Sequence, residues 1–199
     1  SDDPMPDDFS FQLYNDDLER LEWYIEDACA RVPILGTAGI TRVVNGPIPY
    51  TPDGLPLIGP MPGVPNAFEA CVFTFGIVQA GGAGKLLAEL IIEGEAESDS
   101  WAVDPRRFTD HVDTAYTAAK AIETYSHEYA MHFPQIQWPA GRKSKYSPLY
   151  DRLAAAGAEF GSYGGWERAD WFPENAADRR PADSYDRQHW FDAVGDECR

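Results

Sequence analysis

The residues of this chain best suited to chemistry are glycines. The run Gly76-Ile-Val-Gln-Ala-Gly-Gly-Ala-Gly-Lys85 opens a helical pattern with small residues, so bare backbone N–H groups can come close to an electron-rich ligand. It follows Thr51-Pro-Asp-Gly-Leu-Pro-Leu-Ile-Gly-Pro60, which is dense in proline and glycine. Together they read as half of a cofactor pocket, beside the plainer reading of a helix set tightly on a sheet. Two better-known glycine motifs are excluded. A phosphate-cradling loop needs Gly, four residues, Gly-Lys and then Ser or Thr; here Gln79 holds the first position and Leu86 the last. A dinucleotide turn needs G-x-G-x-x-G, and Gly82-Ala-Gly84 runs instead into Lys85, Leu86 and Leu87.

Other reactive residue types offer less. Cys29, Cys71 and Cys198 are far apart and form no C-x-x-C pair; Cys29 falls on a helical apolar face and Cys71 in a strand-like run, the pattern of buried thiols in a reducing compartment. His111, His127, His132 and His189 include no H-x-x-x-H or H-E-x-x-H spacing, so no metal site is expected. Lys and Arg number 16 against 33 Asp and Glu, a net charge of -17, which argues against nucleic acid and anionic membrane as partners. Neither a long apolar run nor a basic export signal is present, and a cytoplasmic chain is expected, or a mitochondrial-matrix one if the host is eukaryotic.

The elements that must position the glycine segments can be read from periodicity. A short strand is expected over 9–14 and a helix over 16–31, with Asp16 and Glu19 as a capping box and Leu18, Leu21, Ile25, Ala28 and Cys29 on one face. Residues 40–45 read as a strand, 46–60 as a shaped loop and 68–75 as a buried strand. A helix over 80–93 follows, stopped by Gly94. Composition shifts at 95–106. A further helix is expected over about 110–130, then a basic bridge with Arg142, Lys143 and Lys145, then a helix with Ser147 as N-cap, Pro148 at its first position and Gly157 as stop. The tail is rich in large aromatics, among them Trp166, Trp171, Phe172, Trp190 and Phe191, with little regular pattern to house them, so a second domain cut short at Arg199 is expected.

Five blocks in order carry a family resemblance: Val44-Asn-Gly-Pro-Ile-Pro-Tyr-Thr-Pro-Asp-Gly-Leu-Pro-Leu-Ile-Gly-Pro60, Phe75-Gly-Ile-Val-Gln-Ala-Gly-Gly-Ala-Gly-Lys85, Asp104-Pro-Arg-Arg-Phe108, Ser147-Pro-Leu-Tyr-Asp-Arg152 and Gly165-Trp-Glu-Arg-Ala-Asp-Trp-Phe172. The chain resembles an internal stretch of the dimethylglycine/sarcosine dehydrogenase-type flavoproteins, which join an FAD-dependent amine oxidase region to a folate-binding region similar to the glycine-cleavage T-protein. The resemblance implies a mixed α/β (α+β) fold. Residues 1–106 would be the C-terminal part of the amine-oxidase domain, 107–146 a helical bridge, and 147–199 the start of an incomplete T-protein-like domain. It implies FAD as cofactor, with tetrahydrofolate in the complete enzyme.

The implied reaction is oxidative demethylation of an N-methyl amino acid, by hydride transfer from the N-methyl carbon to flavin N5 and passage of the one-carbon unit to tetrahydrofolate. Phe75, Gly76, Ile77, Val78 and Gln79 would approach the flavin ring, with the helix beginning near Ala80 aimed at its pyrimidine end. The 51–60 loop would pass over the ring near the substrate side, where Gly54 and Gly59 permit close approach. Tyr50 and Asp53 are candidates for the amine pocket, Asp53 being also the natural holder of a Pro-Asp-Gly turn. No catalytic residue is assigned. Helix physics supports the flavin role on its own terms: reduction places negative charge at N1–C2=O, and a helix N-terminus offers partial positive charge and free donors. Lys85 adds either charge there or solubility. Basic Arg142, Lys143 and Lys145 read as a solvated linker, with attraction of a folate tail as the sharper option.

Because the dinucleotide turn is absent, the partner is expected to be a separate or preceding FAD-binding portion, and exposed apolar surface with oligomerisation should follow. The chain would then be inactive in isolation. A different class remains open, a non-catalytic subunit or interaction module that docks on a flavin-binding chain. Neither the particular amine nor the electron acceptor is legible.

Overall fold

A computed structural model describes residues 5–6, 8–134, 136–174, 185–186, 188 and 190–199; His189 lies outside them. The chain forms two compact units, Ser1–Ile48 and Pro49–Arg199, each described by itself.

In the first unit, a one-turn 3-10 segment, Glu19–Leu21, leads into helix α1, Glu22–Arg31. The capping box expected from Asp16 and Glu19 is not what starts it: Asp17 Oδ1 accepts from the backbone N–H of Arg20 at 3.1 Å. Val32 ends α1, and Pro33 fixes the first φ of a second 3-10 segment, Pro33–Thr37. The strands expected over 9–14 and 40–45 shrink to one antiparallel bridge, in which Tyr14 N–H donates to Asn45 O at 2.8 Å. Phe11, at φ +51, breaks the first extended run before a ladder can form. No described residue of this unit is buried. Its helix has an apolar stripe but no core of its own to bury it.

The second unit begins with a hairpin. Strand β1, Leu57–Pro60, lies inside the stretch expected to be all loop. It pairs antiparallel with β2, Phe68–Cys71, from Leu57 opposite Cys71 to Pro60 opposite Phe68. The buried strand expected over 68–75 stops at Cys71 because Val72 takes φ +58, and Cys71 is exposed rather than buried. Helix α2, Ile77–Ile92, starts three residues before the expected position; Gly76, at φ +56, makes the corner, and Gly94, at φ +81, closes the far end. Ala83 is buried where α2 packs on the hairpin.

Two 3-10 turns, Trp101–Val103 and Pro105–Arg107, precede helix α3, Thr114–His127, which Asp113 caps by accepting from Tyr116 N–H at 2.7 Å. A second sheet has strand order β3-β5-β4: β3, Lys145–Tyr146, runs parallel to β5, Trp166–Trp171, and β4, Glu159–Tyr163, runs antiparallel to β5. Gly164 and Gly165, at φ +58 and +81, form the two-residue turn between β4 and β5, where positive φ at both positions suits the twist of the strands. Helix α4, Tyr150–Ala155, begins later than its signals suggest; Ser147 Oγ caps the preceding turn by accepting from Leu149 N–H at 3.3 Å. Helix α5, Trp190–Glu197, touches β5. Helices and strands mix as the sequence indicates. Of the tail aromatics, Trp171 is buried at 4% exposure while Trp166 and Phe191 remain exposed.

Candidate functional site

The first turn of α2 gathers five of the sequence-predicted residues. No described side chain caps this helix; Gly76 N–H donates to Phe73 O and Gln79 N–H to Gly76 O, which leaves the Ile77 and Val78 N–H groups and the positive end of the dipole for another partner. Phe75 is exposed, and Ile77 and Val78 are 93% and 83% exposed, an unusual setting for β-branched apolar residues on a helix that is apolar on most faces. Gln79 Oε1 is buried with no hydrogen-bond partner among the described residues. A Cβ placed on Gly76, Gly81, Gly82 or Gly84 would meet nothing within 4 Å. At the helix end itself, Gly76, the free donors and the orphaned amide oxygen fit a flat, polar-edged group such as the flavin ring.

The other predicted residues sort differently. Gly59 is buried on β1 at φ +147, and a Cβ there would come within 3.3 Å of Pro105 Cδ and 3.8 Å of Leu90 Cδ1. The close approach it permits is to its own chain, near the far end of α2. Tyr50 donates its hydroxyl to Glu128 Oε2 at 2.9 Å and meets Tyr125 edge-on at 5.5 Å. Burial and the neighbouring Glu128 carboxylate push its phenol up to about 12. Thr74 Oγ1 donates to Pro49 O at 3.0 Å and so ties the start of this loop to the approach of α2.

Asp53 is the holder of a turn. Its Oδ1 accepts from Leu55 N–H at 3.1 Å and lies 3.0 Å from Thr51 Oγ1, while Gly54, at φ +74, donates its N–H to Thr51 O. Arg107 completes the knot: Nε and Nη2 donate to the two Asp53 oxygens at 2.8 and 3.0 Å, Nη2 also to Leu55 O at 2.8 Å, and Nη1 to Asp104 O at 3.1 Å. With its side chain 4% exposed, this guanidinium is held in a bidentate, partly desolvated pair. Sequence reading missed it, because 54 positions separate Arg107 from Asp53 and no local spacing announces the pairing.

A second cluster was not foreseen either. His127 stacks on Trp138 at 4.6 Å between ring centroids, and His132 meets the same indole at 5.1 Å. Beneath them Glu123, buried at 9% exposure, accepts from Lys120 Nζ at 2.6 Å and from Ala140 N–H at 2.8 Å. His127, His132, Trp138 and Lys120, with Asp53, Arg107 and Tyr116, line a cavity of about 670 Å³. The basic bridge is not a free linker: Arg142 donates to both Glu167 oxygens at 2.8 and 2.5 Å, and Lys143 N–H donates to the same carboxylate at 2.7 Å. Hydrogen bonding from Arg142 holds the Glu167 carboxyl below the usual carboxylate range. No group of three or more His, Cys, Asp or Glu able to hold a metal occurs among the described residues, and no described helix is long and apolar enough to cross a membrane.

Residues 3–90 match the family model "FAD dependent oxidoreductase", and residues 93–147 match "FAD dependent oxidoreductase central domain". Both models describe FAD-dependent oxidoreductases, and the chain fits a portion of such a protein. It is 40% identical over 196 residues to human mitochondrial dimethylglycine dehydrogenase, covering 98% of this chain and 22% of that protein. Identity is 40% over 168 residues to the formaldehyde-forming 4-methylaminobutanoate oxidase of Paenarthrobacter nicotinovorans, covering 83% and 20%. It is 36% over 187 residues to mouse mitochondrial sarcosine dehydrogenase, covering 91% and 20%. The chain is thus similar to dimethylglycine and sarcosine dehydrogenases and to a methylaminobutanoate oxidase, and it spans about a fifth of the length of these relatives.

Proposed function

We propose that this chain serves the flavin site of an enzyme that oxidatively demethylates an N-methyl amino acid. The observation that carries this is the uncapped first turn of α2, with exposed Ile77 and Val78 beside the unpartnered Oε1 of Gln79. Bound FAD would accept a hydride from the substrate's N-methyl carbon, and the one-carbon unit would pass to tetrahydrofolate elsewhere in the complete protein. This chain's part is to bind and polarise. Phe75, Ile77 and Val78 offer apolar contact to a ring face, Gly76 lets the backbone come close, and the leading N–H groups of α2 favour negative charge at the ring edge. Each donor is worth about 1 to 3 kcal/mol where water is excluded. Asp53 and Arg107 fix the 51–55 turn, and Tyr50, tied to Glu128, borders it on the substrate side.

The division into an amine-oxidase portion to residue 106, a bridge to 146 and a T-protein-like beginning from 147 belongs to the same reading, as does a matrix location in a eukaryotic host. The amines named for the relatives differ, so the substrate class proposed is a secondary or tertiary N-methyl amino acid. Natively purified intact protein should show the visible flavin band, and dimethylglycine or sarcosine should bleach it. Gln79→Leu should weaken flavin retention without altering the far-UV circular dichroism. A colourless preparation with all its polypeptide present would sink the proposal and leave the non-catalytic docking module as the better account.

A further inference from the structure

Asp53 is the carboxylate that the 51–60 loop itself could offer to a cationic amine, and Arg107 has taken it. One other carboxylate reaches the same loop. Glu128 Oε2 accepts the Tyr50 hydroxyl at 2.9 Å, while among the described residues Glu128 Oε1 accepts no hydrogen bond and neither oxygen joins an ion pair. The cations of the cavity that Glu128 helps to line are matched elsewhere, Lys120 to Glu123 at 2.6 Å and Arg107 to Asp53. Its two nearest histidines in sequence bond to the backbone: His127 Nδ1 lies 2.8 Å from Glu123 O, and His132 Nε2 lies 2.9 Å from His127 O. Glu128 also stands at the C-terminal cap of α3, the negative end of the helix dipole, where a carboxylate is destabilising. A neutral hydroxyl is its side chain's one described partner.

Three aromatic rings border this carboxylate. Tyr50 meets Tyr125 edge-on at 5.5 Å, and Tyr129, four residues past Tyr125 with Glu128 in helical conformation between them, falls on the same side of the turn. After burial and Glu128, the further causes of the raised Tyr50 phenol are Tyr129 and Tyr125, which sets the three rings near one another. Tyr125 and Tyr129 are 55% and 86% exposed, so their faces are open to a ligand. The group also lies toward the start of α2, because Pro49, the residue before Tyr50, accepts from Thr74 Oγ1 at 3.0 Å.

We propose that Glu128, with the rings of Tyr50, Tyr125 and Tyr129, receives the methylated ammonium group of the amine, and that Glu128 rather than Asp53 selects a cationic substrate. The choice of ligand rests on the demethylation proposed above. A carboxylate attracts the charge, and aromatic faces favour a cation clothed in methyl groups. Hydride departure requires the free lone pair of nitrogen, so the cation is held here on its way to the flavin rather than in the reacting pose.

The test is titration of the intact protein with tetramethylammonium, which is cationic at every pH, against neutral tert-butyl alcohol at the same ionic strength, read by saturation transfer to the ligand methyl protons. Saturable transfer to the cation and none to the alcohol is expected. Glu128→Gln, which keeps an acceptor for the Tyr50 hydroxyl, should weaken binding about tenfold, and Tyr129→Leu, at an exposed position, about threefold. The readout needs no flavin. A colourless protein that still binds the cation would keep the ammonium site and overturn only the demethylation reading, whereas a flavin-loaded protein that does not bind it would overturn the ammonium site alone. Equal affinity in Glu128→Gln and Tyr129→Leu, with unchanged circular dichroism, would overturn it as well.

Discussion

The glycines of α2 and those of the 141–165 region are opposites. Around Gly81, Gly82 and Gly84 there is open space, whereas a Cβ on Gly141 would fall 2.5 Å from Tyr116 Cε2 and one on Gly165 would fall 2.7 Å from His111 Nε2. Crowded glycines serve the chain's own interior. Open ones on a helix cost backbone entropy and gain no packing among the described residues. Polar groups do not divide so cleanly: Arg142 and Glu167 satisfy each other in the 141–171 region, yet Trp171 Nε1 there is buried without a partner among the described residues, as Gln79 Oε1 is at the start of α2.

The contrast can be strained hardest at Glu167, whose side chain is 1% exposed. Glu167→Ala leaves the Arg142 guanidinium and Lys143 N–H without their acceptor and should cost about 3 to 5 kcal/mol in chemical denaturation. The sign of its pH dependence follows from the depressed folded-state pKa. Stability from this pair is present above the ordinary carboxylate range and is lost as pH falls through the lower folded value, so the wild type should lose its advantage over Glu167→Ala on acidification. An advantage that grew in acid would show that Arg142 is not the governing partner.

Next in size is Gly141→Ala. Positive φ and the Tyr116 ring together should cost about 2 to 4 kcal/mol, measured by thermal or denaturant unfolding. Arg107→Lys keeps the charge but gives up the fork that holds Asp53 and Leu55, and a loss of about 1 to 3 kcal/mol is expected. Rescue to wild-type stability by lysine would mean that charge alone, not geometry, holds the turn. The smallest effect has the opposite sign. Gly82→Ala should stabilise α2 by up to about 1 kcal/mol and, if the open face meets flavin, lower the flavin content of the purified protein. Stabilisation with unchanged flavin would assign that face to a protein surface instead.

What the sequence made legible follows the range of the forces involved. Helix α2 and the Pro-Asp-Gly turn were readable because periodicity and turn chemistry act over a few residues. The strands over 9–14 and 40–45 were over-read: alternation signals a strand only when a neighbouring strand exists, and here a single bridge from Tyr14 to Asn45 is all that forms. Within the candidate site, the start of α2 was displaced by three residues because Gly76, not Gln79, turns the corner. Arg142 looked like a linker charge because its partner Glu167 lies 25 positions away. The pairing of Arg107 with Asp53 was invisible for the same reason.

That last pairing bears on how the chain comes apart. Asp53 lies in the stretch matching one family model and Arg107 in the stretch matching the next, so the seam between the two is stitched across by a buried guanidinium. A protease nick in the largely exposed segment 94–99 would sever the peptide and leave the stitch intact. Both pieces would then travel together until a denaturant released them.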